Sequence, residues 1–394
     1  MEFTIENIQE RNENNMVRVL NVIGRRPTGG IGAVVKNYQS HFNEKIIFDY
    51  LLFSNEKDGE FDAFVKKLGS NVYVLPALEM KNLFVLKTAV KKFFEQYSNN
   101  YDIAHIHTVN IAFLVAKYAK RSGIKNIIAH SHATKFSDKK INSIRNRLLC
   151  VNLKKLCTDF IACSSEAGYF LFGKRFMEMH KVNILKNAID IKKFEFSLEK
   201  RKKIRSEFKL KDEVVFASIG RLSKQKNQKF LIDIFNEIHK ELPNSKLLIV
   251  GEGQELENLK AKSEKLGLNN EVIFTGSRND IDFILSGIDI FLMPSLYEGL
   301  PVIGVEALSS GLPCIFSDEI SKEFQSEKSY YISLNNSSLE WAKQIINIVN
   351  INIDRNLSQT EEMGYDINVE APKLIEYYKG IINRSEDSEK NIVF

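Results

Sequence analysis

Four cysteines in 394 residues are too few to describe a disulfide scaffold. Cys150, Cys157, Cys163 and Cys314 lie in apolar surroundings without metal-ligand spacing, which fits reduced thiols in a cytosol. Prolines are scarce as well, 7 in all, while hydrophobic residues make up 44%; that balance describes a globular chain and not a disordered one. No apolar run approaches the roughly 18 residues that a membrane-spanning helix requires. Residues 1–15 are polar and acidic, unlike a signal peptide. A disordered extension is expected there, with Met16 directly before the first apolar run. The net charge is only +5, but it is unevenly distributed. Length alone favours two domains with full-sized cores.

What the chain does contain is a long alternation of apolar runs and helical patterns. Strands are expected at 17–23, 46–53, 72–75, 103–107, 127–130 and 160–163, with helices near 59–68, 84–97, 110–121, 139–156 and 165–172. A second alternation opens at 214–219 and continues through 247–250, 272–274, 290–293, 313–316 and 330–332. Strands that alternate with helices imply a parallel sheet covered on both faces, and ligands of such sheets meet the carboxyl ends of the strands. The expected division is a polar extension over 1–15, one Rossmann-like domain over 16–185 and a second over 186–370. A closing segment over 371–394 would hold a helix at 373–382, returning to the first domain, and a loose tail.

The stretch from Asp289 to Phe316, DIFLMPSLYEGLPVIGVEALSSGLPCIF, organises the second half. An apolar run is followed by the loop Glu298-Gly299-Leu300-Pro301, a short helix over 302–308 and another apolar run. Pro301 suits a first helical residue, which tolerates having no N–H. The free N–H groups of that helix start, with its dipole, form a site for an anion such as phosphate. Glu298 and Glu306 flank it. Two carboxylates would repel the phosphate itself, yet they are placed to accept hydrogen bonds from hydroxyls at either end of a phosphate ester, as in a nucleotide sugar. In Gly220-Arg221-Leu222-Ser223-Lys224-Gln225-Lys226-Asn227, between a strand and a helix, Arg221 and Lys226 can converge on the same diphosphate, one as a planar fork and one as a point charge. The glycine-rich turn at Gly29-Gly30 follows the first strand, where glycine lets backbone approach a phosphate. The triplet Asp280-Ile281-Asp282 reads as a helix N-cap region rather than a metal site.

The spacing of Glu298 and Glu306 within EGLP…VEA resembles the signature of retaining GT-B glycosyltransferases of the family-four type. GRLSKQKN resembles the diphosphate motif of that family, and HSHAT, ACSSEA and KNAID resemble segments of its capsule and exopolysaccharide enzymes. The resemblance runs over roughly 17–383. It implies an α/β GT-B fold, two Rossmann-like domains facing across a central cleft, and transfer of a hexosyl group from a nucleoside-diphosphate sugar, UDP-sugar favoured. The acceptor would be a polyprenyl-diphosphate-linked or other cell-surface glycan. It further implies that Glu298 contacts the transferred sugar, that Gly299 and Leu300 belong with it to the donor-binding residues, and that Glu306 contacts the ribose. Arg278 lies at the edge that seats the base, and Gly29 and Gly30 lie against the donor phosphates and the acceptor. His132 points at the donor sugar. Ala133 stands where the family commonly has Asn, so that side-chain contact is missing. The expected catalytic group is His132, Glu298, Arg221 and Lys226, with no cofactor and no metal.

Two HxH pairs, His105/His107 and His130/His132, end successive strands. Zinc is a rival reading, since HxH supplies two ligands, although nothing else completes a site. Residues 111–157 hold eleven Lys and Arg against one acid, Asp138. Ile141, Ile144, Leu148 and Val151 fall there at helical spacing. A basic amphipathic helix suits an anionic membrane surface or a lipid diphosphate. Nucleic acid is not expected, because no aromatic-and-basic binding motif appears. The expected location is cytoplasmic, peripheral at the inner face of the membrane. The rival functions are a GT-B nucleotide-sugar epimerase, a non-catalytic partner subunit, and a pyridine-nucleotide oxidoreductase, the last accounting for the glycine turn but not for Glu298, Glu306, Arg221 and Lys226 together.

Overall fold

Thirteen strands are present among the described residues, and every pairing between them is parallel. The computed structural model describes residues 16–24, 30–42, 46–54, 59–79, 82–136, 140–179, 181–349, 355 and 364–390. The expected extension over 1–15, Gly29, Asp138 and Lys139 lie outside them. The chain forms two units, one of residues 1–186 with 368–394, the other of residues 187–367.

The first unit holds β1 (Val17–Ile23), β2 (Ile46–Phe53), β3 (Val72–Leu75), β4 (Ile103–Ile106), β5 (Asn126–Ser131), β6 (Asp159–Ala162) and β7 (Asn183–Ile184). Their order is β3-β2-β1-β4-β5-β6-β7. The second holds β8 (Val214–Ile219), β9 (Ser245–Val250), β10 (Val272–Gly276), β11 (Ile290–Met293), β12 (Cys314–Ser317) and β13 (Ser329–Ile332), ordered β10-β9-β8-β11-β12-β13. The order reverses between β1 and β4 in one sheet and between β8 and β11 in the other. At such switch points the flanking loops diverge and leave a crevice at the carboxyl ends.

The central strands are near-continuous apolar runs because helices cover both faces. In the second unit the helix Gln228–Glu241 buries Leu231, Ile232, Ile234, Phe235 and Ile238. They pack with Phe216, Leu247, Ile249 and the fully buried Trp341. At about 25 cal/mol per Å² of apolar area, each such side chain contributes roughly 1.5–3 kcal/mol.

Three boundaries differ from the sequence reading. The helix expected over 139–156 is two helices, Lys140–Leu149 and Leu153–Leu156. Asn152 sits between them, and Asn favours turns over helix interiors. The short helix near the anion site begins at Val302, with Pro301 as its N-cap. Pro301 has ψ 113, an extended value, so the helix starts one residue later than expected. The last helix runs from Ile367 to Lys390 with Pro372 inside it, which overturns both the expected start at 373 and the loose tail from 384. A proline in the second turn removes a single helical hydrogen bond. The apolar side chains Ala371, Leu374, Ile375, Tyr378 and Ile381 are buried nonetheless.

Candidate active site

Two polypeptide loops at the switch point of the second unit meet at an ion pair. After β8 the chain passes Gly220, whose φ of 143 is open to glycine but strained for other residues. A Cβ on Gly220 would lie 3.2 Å from Lys226 Cε, so the lysine stem lies along the bare backbone. The turn after β9 packs as closely: a Cβ on Gly251 would sit 2.1 Å from the Gly220 carbonyl oxygen, and one on Gly253 would sit 2.2 Å from that of Leu222. Asn227, left-handed at φ 56, then caps the helix Gln228–Glu241.

Three hydrogen bonds lash this loop to the one after β11. Asn227 Nδ2 donates to the Pro294 carbonyl at 3.1 Å, Gln225 Nε2 to that of Tyr297 at 3.1 Å, and the Leu296 amide to the Gln225 carbonyl at 2.8 Å. Lys226 Nζ is thereby held 2.8 Å from Glu298 Oε1, the two side chains only 16% and 12% exposed. Arg221 is exposed beside them. From the other side Asn187 Nδ2 donates to the Leu300 carbonyl at 2.8 Å. The helix Val302–Ser309 follows, where the amides of Gly304 and Val305 turn back to Pro301 and those of Val302 and Ile303 face outward as at any helix start. Glu306 lies in that helix. Burial pushes its carboxyl up to about 7, against the pull of Lys193.

The structure thus brings Lys226, Glu298, Gly299, Leu300 and the helix start together, with Arg221 on the same loop and Glu306 on the helix. Arg278 is differently placed. Its guanidinium meets Glu207 at 2.5 Å and Asp280 at 2.7 Å, and both carboxylates raise its pKa. With both carboxylates on it, the fork ties the turn after β10 to the helix Leu198–Glu207. Asp280 stands at the N-cap position expected of it but makes no side-chain cap, because its oxygens go to Arg278. Asp282 is buried 2.7 Å from Lys200. The triplet is therefore two structural ion pairs.

In the first unit the histidines stand on one face of the sheet at its carboxyl end, next to the switch point. His107 Nδ1 and His132 Nε2 are 2.8 Å apart, and His107 Nε2 is 3.0 Å from Asn21 Oδ1. His105 Nδ1 is 2.8 Å from the Tyr378 hydroxyl, and His105 Nε2 is 3.1 Å from His130 Nδ1. The His105 and His107 rings stack with centroids 4.2 Å apart, and those of His130 and His132 lie tilted with centroids 3.8 Å apart. Burial holds all four below the usual imidazole range, His105 and His132 at about 3, so all are neutral at pH 7. Nitrogens of His105, His107 and His130 lie within 4.8 Å of one another, close enough for a metal ion. Both ring nitrogens of His105 and of His107 are engaged in hydrogen bonds. Gly30 begins the helix Gly30–Ser40, one strand away from His105. Nothing in the sequence marks Asn21 or Tyr378 for these places, whereas Asn187 and Gln225 fall within the KNAID and GRLSKQKN segments and the HxH pairs announce the histidine cluster.

The basic stretch forms a separate face of the first unit. Ile141, Ile144, Leu148 and Val151 are 82%, 64%, 66% and 69% exposed, and Phe84 is 79% exposed. Ile141, Ile144 and Leu148 line one side of a groove of ≈ 400 Å³ whose other side is Leu78, Leu83 and Phe113, with Arg145 at its wall. Among the described residues no helix is long and apolar enough to cross a membrane.

Residues 199–360, which carry the Arg221, Lys226, Glu298 and Glu306 loops, match the family described as Glycosyl transferases group 1. Over that segment the chain carries a Glycosyl transferases group 1 domain, and it is a glycosyltransferase. This glycosyltransferase is 29% identical to the putative glycosyltransferase EpsF of Bacillus subtilis (strain 168) over 316 residues, 78% of this chain and 80% of EpsF. It is 30% identical over 261 residues, 65% of each chain, to the Escherichia coli UDP-Gal:alpha-D-GlcNAc-diphosphoundecaprenol alpha-1,3-galactosyltransferase. Its fold matches that of HepE from Anabaena, solved with UDP and glucose, at a TM-score of 0.77 and 19% identity, over 92% of this chain and 100% of HepE. The fold is the GT-B type.

Proposed function

We propose that this glycosyltransferase moves a hexosyl group from a UDP-sugar to a hydroxyl of a lipid-linked glycan in polysaccharide synthesis, with retention at the anomeric carbon. The observation that carries the reading is the ion pair of Lys226 and Glu298 at the start of the helix Val302–Ser309, with Arg221 on the same loop. A diphosphate seated at that helix start takes Lys226 and Arg221 as its cations. Glu298, released from Lys226, accepts from a sugar hydroxyl, and Glu306 accepts from the ribose. Charge developing on the leaving diphosphate is met by preorganised N–H groups and cations, which in many such sites supply most of the rate enhancement. Retention follows the resemblance to the family-four enzymes, in which the leaving phosphate takes the acceptor proton. No dedicated base is then required, and a metal is unnecessary for the charge. From the first unit, His132 contacts the transferred sugar.

UDP as the carrier and a polyprenyl diphosphate as the acceptor's anchor are supported by the name of the Escherichia coli relative and by the UDP bound in HepE. The exposed apolar side chains of 141–151 among Lys140, Arg145, Arg147, Lys154 and Lys155 fit an anionic lipid surface on which such an acceptor is presented. The test is a screen of UDP-glucose, UDP-galactose and UDP-N-acetylglucosamine for UDP release, with the anomer of the released or transferred sugar followed by NMR. Release of UDP with an α product from an α donor is expected. Interconversion of the sugars without transfer would make the protein an epimerase, and turnover of none of them would overturn the donor assignment.

A further inference from the structure

The polar cluster in the first unit consists of two separate hydrogen-bond chains, and only one of them reaches the surface. Tyr378, His105 and His130 form the inner chain, which ends at His130 Nε2, buried and without a partner. Asn21, His107 and His132 form the outer one. His132 follows the last residue of β5 and is half-buried.

The outer chain has a direction. Asn21 is fully buried in β1, its strand fixed by the ladder to β4 and by the His107 amide donating to the Val22 carbonyl at 3.0 Å. It presents Oδ1 to His107 Nε2 at 3.0 Å. A carboxamide oxygen only accepts, so the His107 proton sits on Nε2. In a neutral ring the other nitrogen is then a lone pair. The 2.8 Å contact of His107 Nδ1 with His132 Nε2 is a hydrogen bond only when His132 supplies the proton. That leaves His132 Nδ1 bare, and it has no partner among the described residues.

We propose that Asn21 and His107 are positioning residues that fix His132 with its proton on Nε2, so that Nδ1 is offered as an acceptor to a hydroxyl of the transferred sugar. This rests on the reading of His132 as a sugar-contacting residue. An imidazolium at this place would attract the diphosphate of the donor. A lone pair repels phosphate and selects a hydroxyl, which keeps anion binding to the second unit. The orientation of an imidazole is commonly set by what its far nitrogen touches, and here the control runs through two side chains.

The direct test is the ring ¹⁵N spectrum of histidine-labelled, unliganded protein, with His132 assigned from the signals lost in His132→Gln. The proton is expected on Nε2 of His132, and in Asn21→Leu and His107→Phe the ring is expected to show both tautomers. In the same variants kcat for UDP release from UDP-galactose or UDP-glucose should fall about tenfold, the scale of one hydrogen bond made to a wrong partner, with the donor KM little changed. Asn21→Asp, which keeps an accepting oxygen, should restore both the tautomer and the rate, and it guards against loss through misfolding of Asn21→Leu. A proton on Nδ1 in the wild type would overturn the proposal. So would an unaltered tautomer and rate in both Asn21→Leu and His107→Phe. Wild-type turnover in His132→Gln would instead overturn the sugar-contact reading, while the ring spectrum still decides where the proton lies.

Discussion

In the second unit the side chains at the carboxyl ends of β8 and β11 are charged and paired, Lys226 with Glu298 at 2.8 Å. In the first, the ends of β4 and β5 carry four neutral imidazoles linked ring to ring and to an amide. Two sheets of one topology class thus carry polar groups at the same structural position, charged in one and neutral in the other. Cations suit a nucleoside diphosphate, whose charge is fixed. Neutral donors and acceptors suit hydroxyls, which are read by direction and not by charge.

The harshest way to break this contrast is to remove the charges. Arg221→Ala and Lys226→Ala should each lower kcat/KM by on the order of 10²–10³ through lost leaving-group stabilisation; wild-type turnover at sub-saturating donor would contradict the diphosphate assignment. The basic face of the first unit should respond on a different axis. Neutralising Lys140, Arg145, Lys154 and Lys155 together should weaken sedimentation with anionic liposomes by on the order of 10² at low salt, from about 1 kcal/mol per base reduced by screening. Donor hydrolysis should be unchanged, and equal partition of variant and wild type would reduce the face to a solvated surface.

Glu306 sharpens the comparison because it is a charge held back. Its carboxyl, raised by burial to about 7, must ionise to accept from both ribose hydroxyls. Donor affinity should therefore rise about tenfold from pH 6 to pH 8 and level off above, and Glu306→Gln should flatten the profile. The stability sign is the reverse. A carboxyl protonated more readily when folded than when unfolded contributes stability below the ordinary value of 4.5. That contribution is lost as pH rises to and through about 7. A thermal melt that gained stability over that window in wild type relative to Glu306→Gln would contradict it. The smallest effect is an expected zero: EDTA should leave turnover intact, and activity lost and restored by Mg²⁺ or Mn²⁺ would put a metal in the reaction.

Much of this is legible in sequence because it is local. The β–loop–α units show as apolar runs ended by glycine; Arg221, Lys226 and Glu298 follow strands β8 and β11, and Glu306 lies in the helix that comes after the second of them. The HxH pairs likewise announce themselves by spacing. Partners distant in sequence do not. Tyr378 reaches His105 across 273 positions, and a single Tyr in an ordinary segment carries no periodic signal; Asn187 lies in the KNAID segment, but its bond to Leu300 across 113 positions is not legible from that segment. The partner of Arg278 is hidden for the same reason, since Glu207 lies 71 residues away. Pro372 conceals the start of the last helix because its cost is local while the burial that offsets it is tertiary.

Arg355 gives the donor site a reach well beyond its own residues. Its guanidinium donates to the carbonyls of Leu285, Ser286, Ile288 and Ser310 and to the Ser310 hydroxyl, which gathers the carboxyl ends of the helices Ile281–Gly287 and Val302–Ser309. Burial lowers its pKa to about 9, and a Cβ on Gly311 would lie 2.2 Å from its carbonyl. The helix Val302–Ser309, at whose start the diphosphate is proposed to bind, is thus pinned from behind by one side chain. A change at Arg355 acts as a lever on an eight-residue rod: displacement at one end moves the amides at the other. Variants there would resemble binding-site variants in every kinetic assay, and a map of inactive substitutions would draw the donor pocket about a helix length too large.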